Sequence, residues 1–398
     1  MTTATDFKQA VILSGGGAYG AYEVGVIKAL FTGECPSTNH DYLNPGIFSG
    51  TSVGAFNAAF LLSQPGENMC AAARLLESSW LDHVSENPQS CGNGIFRFRV
   101  DPFRLMDPDC LSHPEARLSE LADDGAYLMR DSLQRAANFF FNRGSLAGRS
   151  LELIDISSFI TGAPLTRLVE KTITMANIRR SEKVLRVVAT NWSTGKLKVF
   201  ENKDMTDEEG EDVLRASASI PGFFHPKVVA GQTYVDGGVL MNTPLKCAIL
   251  AGATILHVIY LDPDPKNIPL RVLQSTISVM DRIMAIGAAA KVDEDIETAS
   301  WINEGLEIFE RAKHNKAISS AEAAAFIRVA GRIYERIGAG CPYQKLTIHR
   351  YHPHDDLGGG TFGLLNFDRA NVKMLIDRGF NDAVHHDCVA SHCVLPTR

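Results

Sequence analysis

Gly46-Ile47-Phe48 runs into Gly50-Thr51-Ser52-Val53-Gly54, and Ala55-Phe56-Asn57-Ala58-Ala59-Phe60-Leu61-Leu62 follows at once. An apolar run, a turn between glycines and a small-residue helical pattern read as strand, elbow and helix, with Ser52 at the apex. A serine on such a turn carries its hydroxyl above the sheet edge. The flanking glycines allow two backbones to cross where a Cβ would clash. The helix that follows points its N-terminus at Ser52, where partial positive charge favours a developing oxyanion. This reading makes Ser52 a nucleophile, which requires a base and an anion-holding loop from elsewhere in the chain.

The loop lies upstream. Ala10-Val11-Ile12-Leu13 reads as a buried strand, Ser14-Gly15-Gly16-Gly17-Ala18-Tyr19-Gly20 follows, and Ala21, Val24, Ile27, Ala29 and Leu30 recur at helical spacing. Strand, glycine loop and helix form an anion-binding arrangement. Gly15, Gly17 and Gly20 also satisfy a dinucleotide fingerprint, which by itself is a weak signal. That alternative wants an acidic residue at the end of the second strand, whereas Asp41 precedes the strand and Ser49-Gly50 ends it.

Downstream, Leu185–Thr190 and Leu197–Phe200 read as a hairpin, Glu201–Asp212 as an acidic solvated loop, and Val213–Pro221 as a short helix. Gln232-Thr233-Tyr234-Val235 is a strand that delivers Asp236-Gly237-Gly238, a turn able to project a carboxylate into a cleft. Thr254–Leu261 reads as a central strand. Leu270–Gly338 is helical throughout: one helix carries Val272, Ile277, Met280, Ile283 and Met284 on a core-facing side, a second runs through Trp301 to Phe309, and a third from Ala324 to Ile333. Lys345–Tyr351 is a last strand, Gly358-Gly359-Gly360 a flexible turn, and Phe367–Phe380 a closing amphipathic helix.

The motifs GGGAYG at 15–20, GTSVG at 50–54 and DGG at 236–238, with ASASIP at 216–221, resemble those of the patatin-like phospholipases. The resemblance implies an α/β protein, a three-layer α/β/α fold with a mostly parallel central sheet, here extended by a helical C-terminal segment. It implies a Ser–Asp dyad, with Ser52 as nucleophile, Asp236 as general base, and backbone N–H groups of Gly15, Gly16 and Gly17 in the oxyanion hole. It implies phospholipids or other acyl-ester lipids as substrates, with no metal and no organic cofactor. Tyr19 stands where the family usually has Arg or Lys. A histidine-based triad through His225 or His349 is the alternative to the dyad, and a catalytically silent lipid-binding protein the alternative to an enzyme. The expected organisation is a catalytic domain over 1–268, a helical segment over 269–340, and a strand and helix over 341–398 that pack back on the catalytic domain.

Composition narrows the partners. The chain of 398 residues has a formal charge of −7, the wrong sign for a nucleic-acid surface. Arg97, Arg99 and Arg104 form a local basic cluster, read as a solvated rim rather than a membrane contact. Alternating aromatic and basic residues at Ile95–Arg99, and Phe139–Phe141, are read as covering the core, with a lid or membrane-docking surface as the alternative. Met1–Gln9 lacks a basic region followed by an apolar core, and no stretch is apolar enough for a bilayer, so a soluble protein is expected, cytoplasmic or exported without a conventional signal, with any membrane contact peripheral. The eight cysteines include no CxxC pair and are expected to be reduced. His385, His386, Cys388, His392 and Cys393 cluster in the tail, but their spacing matches no standard zinc pattern.

Overall fold

A computed structural model describes residues 6–66, 68–86, 92–99, 114–141, 156–261, 276–314, 344–358 and 360–396. The central sheet contains β1 (Asp6–Leu13), β2 (Pro45–Thr51), β5 (Val184–Asn191), β6 (Lys196–Glu201), β7 (Lys227–Val229), β8 (Gln232–Asp236), β9 (Ile255–Ile259) and β10 (Thr347–Tyr351). A separate two-residue ladder pairs β3 (Arg97–Phe98) with β4 (Ile160–Thr161). The order in the main sheet is β10-β9-β1-β2-β5-β8-β7, with β6 also on β5. The pairs from β10 through β5 are parallel, and those of β6, β7 and β8 antiparallel.

Helices cover both faces. They are α1 (Gly20–Phe31), α2 (Val53–Ser63), α3 (Met69–Ser79), α4 (Pro114–Phe141), α5 (Ala163–Thr172), α6 (Met175–Arg180), α7 (Gly210–Ser217), α8 (Leu245–Leu250), α9 (Thr276–His314) and α10 (Arg369–Val384). Strand side chains alternate between faces. Val11, Leu13 and Phe48 therefore join the core under α1, α2, α3 and α10, while Ala10, Ile12 and Ile47 join a second core with Leu245 and Ala248 of α8 and Ile296 and Ala299 of α9. Strands buried on both faces explain the unbroken apolar runs in the sequence. The result is the three-layer α/β/α architecture with a mostly parallel sheet.

Several local expectations are corrected. The interval 201–212 is not all loop: a 3-10 turn occupies Asn202–Asp204, and α7 begins at Gly210 with Glu211 and Asp212 in its first turn, where acidic side chains favour the helix dipole. β9 is interior but one strand from the edge, because β10 adds outside it. The two helices expected between 272 and 309 are one helix, α9. At 1.5 Å per residue it is about 58 Å long, more than the sheet can cover, and Ile283 is 60% exposed although its spacing placed it in a core face. Arg97 and Arg99 are not a solvated rim, since both pair with the buried carboxylate of Asp124. Arg104, the third helix at 324–333 and the side chains of Phe140 and Phe141 lie outside the described residues.

The closing helix α10 packs on α1. Its buried residues Val372, Leu375, Ile376, Gly379 and Ala383 form one stripe, and Asp368 caps its first turn by accepting from the Ala370 and Asn371 amides at 2.9 and 3.0 Å. The two helices meet at glycines: a Cβ on Gly25 would lie 2.0 Å from the Ile376 carbonyl oxygen, and one on Gly379 2.0 Å from that of Tyr22. Between α1, α2 and the turn after α3, Asn57 donates to Glu23 at 2.9 Å and accepts from the Trp80 indole at 2.8 Å. Burial pushes the Glu23 carboxyl well above its usual range, against the opposing pull of the Asn57 hydrogen bond.

Because backbone atoms face the Gly25 site, no side chain can yield there. Gly25→Ala is expected to cost about 1–3 kcal/mol, read as a lower midpoint in denaturant unfolding, while Gly125→Ala, at an open position inside α4, should not lower it.

Candidate active site

The site is assembled on β5. Its residues 184–188 pair with β2, ending at Thr51 opposite Val188; its residues 189–191 pair with β8, starting with Asp236 opposite Ala189. β6 pairs with residues 186–191. Since β6 overlaps both partners along β5, it must occupy one edge, and β2 and β8 must share the other, end to end. The end of β2 therefore meets the end of β8. Gly237 lies in the junction: a Cβ there would sit 2.4 Å from the Val188 carbonyl oxygen and 3.0 Å from Thr51 Cγ2.

Ser52 follows Thr51 directly. Its φ of 55° and ψ of −122° place a non-glycine residue in a sparsely populated conformation at the cap of α2. The turn is held by its surroundings. A Cβ on Gly50 would lie 2.5 Å from the Gly54 carbonyl carbon, and one on Gly54 2.5 Å from the Leu13 carbonyl oxygen. The Ser52 amide donates to Ser217 Oγ at 2.9 Å, and Ser217 Oγ donates to the Val188 carbonyl at 2.6 Å. This serine, at the end of α7, fastens the elbow to β5. Nothing local to the hexapeptide 216–221 shows what its first serine bonds, because both partners come from distant parts of the chain.

Asp236 caps the turn that follows β8. Its Oδ1 accepts from the Gly238 amide at 2.7 Å, and its own amide donates to the Ser219 carbonyl at 2.9 Å. Ser52 and Asp236 are each only 5% exposed. Burial pushes the Asp236 carboxyl up to about 7, against the opposing pull of the Gly238 amide and of a hydrogen bond from the Ser52 side chain. Asp236 Oδ2 is buried without a well-aligned donor, so the contact with Ser52 is a loose one.

The glycine loop arrives from β1. Asn242, six residues beyond the aspartate, clamps the Gly15 peptide on both sides: the Gly15 amide donates to the Asn242 carbonyl at 3.2 Å, and Asn242 Nδ2 donates to the Gly15 carbonyl at 3.1 Å. The Gly15 amide, expected as an oxyanion donor, is thus engaged internally, whereas the Gly16 and Gly17 amides make no backbone hydrogen bond among the described residues. Tyr19 donates to the Gly358 carbonyl at 2.8 Å. The second glycine run is therefore no free turn: Gly360–Leu365 forms a 3-10 helix against the first loop.

Ser52 opens into a cleft of ≈ 180 Å³. Its lining is largely apolar, with Phe56, Ile95, Leu165, Ile220, Leu364 and Phe367 among the contributors. Arg99, Arg215 and Lys227 also reach it, but each is paired, with Asp124, Glu211 and Asp212. His225 stands at the cleft, exposed and bonded to Tyr127. His349 is on β10, three strands from β2, and faces Cys388. No helix is long and apolar enough to cross a membrane among the described residues.

An α/β/α sandwich with a mostly parallel core and a serine on a strained strand–helix elbow is the class that fold and site define. The model of the patatin-like phospholipase family matches residues 11–249, more than half of the chain, and the chain belongs to that family. Among solved structures it is similar to VipD from Legionella pneumophila, at 16% identity and a TM-score of 0.31, over 93% of this chain and 66% of that one, so it spans just under two thirds of VipD's length. Comparison with curated proteins found no match.

Ser217→Ala would leave the Ser52 amide and the Val188 carbonyl unpaired in a buried place. It is expected to cost about 2–3 kcal/mol, visible as a lower thermal midpoint, with Ser217→Thr recovering part of it.

Proposed function

We propose that the protein hydrolyses acyl esters of phospholipids or related acyl lipids, with Ser52 as nucleophile and Asp236 as general base, through an acyl-serine intermediate. The observation that supports this reading is the meeting of β2 and β8 on one edge of β5, which brings together the strand ends that carry Ser52 and Asp236, with Ser52 lining an apolar cleft.

The chemistry follows from that arrangement. A serine hydroxyl is a weak nucleophile until a neighbour takes its proton. Ionised Asp236 accepts it as Ser52 Oγ attacks the ester carbonyl. The oxyanion develops toward the Gly16 and Gly17 amides and the N-terminus of α2, with the clamped Gly15 peptide fixing the loop. Protonated Asp236 then gives its proton to the leaving alcohol. Water, deprotonated by the same carboxylate, attacks the acyl-serine, and as the fatty acid leaves, Asp236 returns the proton to Ser52 Oγ. The apolar lining supports an acyl chain as the recognised part of the substrate; the paired cations give less support to a charged headgroup. We assign this catalytic unit to residues 1–268, with 269–340 as a helical addition and 341–398 as a segment that packs back on it.

Ser52→Ala and Asp236→Asn are each expected to lower turnover of a phospholipid, lysolipid and glyceride panel by at least about 10²–10⁴-fold, measured by mass spectrometry of released fatty acid, with unchanged circular dichroism. Stoichiometric labelling of Ser52 by a fluorophosphonate separates an enzyme from a silent lipid binder. Wild-type turnover in either variant rejects the dyad.

The pH profile tests the base separately. A carboxyl raised to about 7 by burial is protonated below that pH and cannot accept the serine proton. kcat/KM is therefore expected to rise with pH through an apparent pKa of about 7 and then level off. A profile already flat from pH 5 upward would show that a group with an ordinary carboxylate pKa is acting.

A further inference from the structure

Far from the cleft, at the sheet edge formed by β10, two elements bring together four side chains that the mechanism does not use. His349 comes from the strand. His386, Cys388 and Cys393 come from the turn after α10. One ligand-capable atom from each lies within 4.8 Å of all the others. Cys388 Sγ is 3.5 Å from His349 Nδ1 and 3.5 Å from His386 Nε2, and Cys393 Sγ is 3.5 Å from the same His386 Nε2.

We propose that His349, His386, Cys388 and Cys393 form a tetrahedral zinc site that fastens the C-terminal segment to the edge of the sheet. Zinc–sulfur bonds of about 2.3 Å and zinc–nitrogen bonds of about 2.0–2.1 Å, set at tetrahedral angles, give a sulfur-to-nitrogen edge of about 3.6 Å. Three sulfur-to-nitrogen separations, at 3.5 Å each, match that edge, and the remaining pairs lie within 4.8 Å. Two thiolates and two imidazoles are a donor set that suits zinc, and four protein ligands make a closed, structural site with no position for a substrate.

Hydrogen bonding alone satisfies this cluster poorly. His386 Nε2 faces two sulfurs, Cys388 Sγ and Cys393 Sγ, yet a ring nitrogen has one lone pair or one proton and serves only one of them. One cation at the centre serves all four at once. The surroundings act as a supporting layer. The Arg350 amide donates to Cys393 Sγ at 3.3 Å, the Cys393 amide closes the turn on the Cys388 carbonyl at 2.9 Å, and Asp387 Oδ1 accepts from the Val389 and Ala390 amides at 2.7 and 3.0 Å. His349 stacks on His257 of β9 at 5.1 Å between centroids.

The place explains the role. β10 is an edge strand, and an open edge invites pairing with another chain. Val394 covers part of it through a two-way bridge with Ile348, at 2.8 and 2.9 Å. A metal bound to neighbouring residues of both segments would lock that cover in place. The tail residues fitted no zinc spacing because their fourth ligand is contributed by β10.

The test loads the full-length protein, purified under reducing conditions and stripped by chelator, with cobalt(II) and then zinc. The expected result is one equivalent of cobalt with the visible bands of a tetrahedral centre and thiolate-to-cobalt charge transfer. That charge transfer should fall by about half in Cys388→Ser and in Cys393→Ser and be unchanged in Cys70→Ser. His349→Ala should weaken zinc binding by more than the roughly 10–100-fold lost with an outer supporting residue. Zinc should also shield Cys388 and Cys393, but not Cys70, from alkylation in the wild-type chain, which decides the matter if the variants do not fold. An octahedral spectrum without thiolate charge transfer, substoichiometric binding, or a Cys388–Cys393 disulfide that persists under those reducing conditions would overturn the proposal.

Discussion

One edge of β5 holds the molecule's chemistry together. Parallel β2 occupies its first part and antiparallel β8 its last part, so two strands from distant parts of the chain end against each other. Main-chain hydrogen bonds fix that junction, and Gly237 closes it because no side chain fits between the Val188 carbonyl and Thr51. The side chains on either side of the junction, Ser52 and Asp236, are consequently positioned by sheet register. Elements built on rigid strands hold a site more tightly than loops do.

Both ends carry an energetic burden. The Ser52 backbone occupies a conformation costing of order 1–3 kcal/mol, and it persists because glycine crossings and Ser217 leave no other path for the chain. Asp236 is buried deeply enough to shift its ionisation toward neutrality. A carboxylate with ordinary solvation would be a poor base toward an alcohol, so burial is what would fit Asp236 for the role proposed for it. The parallel half of the sheet, buried on both faces, supplies the rigidity that both features require.

Much of this was legible in the residues. The run into Ser52, the glycine loop after Leu13 and the turn after Val235 are local patterns, and local patterns specify strand ends, elbows and helix starts. Boundaries were less secure where competing local signals overlapped. The acidic stretch at 201–212 hid the start of α7, because the same carboxylates that suggest a solvated loop also favour the first turn of a helix. The apolar spacing around Ile283 suggested a buried face, but burial depends on whether the sheet extends that far, which periodicity does not encode.

The sequence by itself determined the elbow at Ser52, the glycine loop and the carboxylate turn, because each is governed by residues within a few positions of one another, and it pointed to the layered α/β/α class through the family resemblance that those motifs carry. Only the tertiary structure decided that β2 and β8 share an edge of β5, that Asn242 engages the Gly15 amide, that Asp124 gathers the two arginines, and that His349 joins the cysteines of the tail. These pairings join residues far apart in the chain, and what selects them is strand register and the burial of polar groups, neither of which is written in any local stretch.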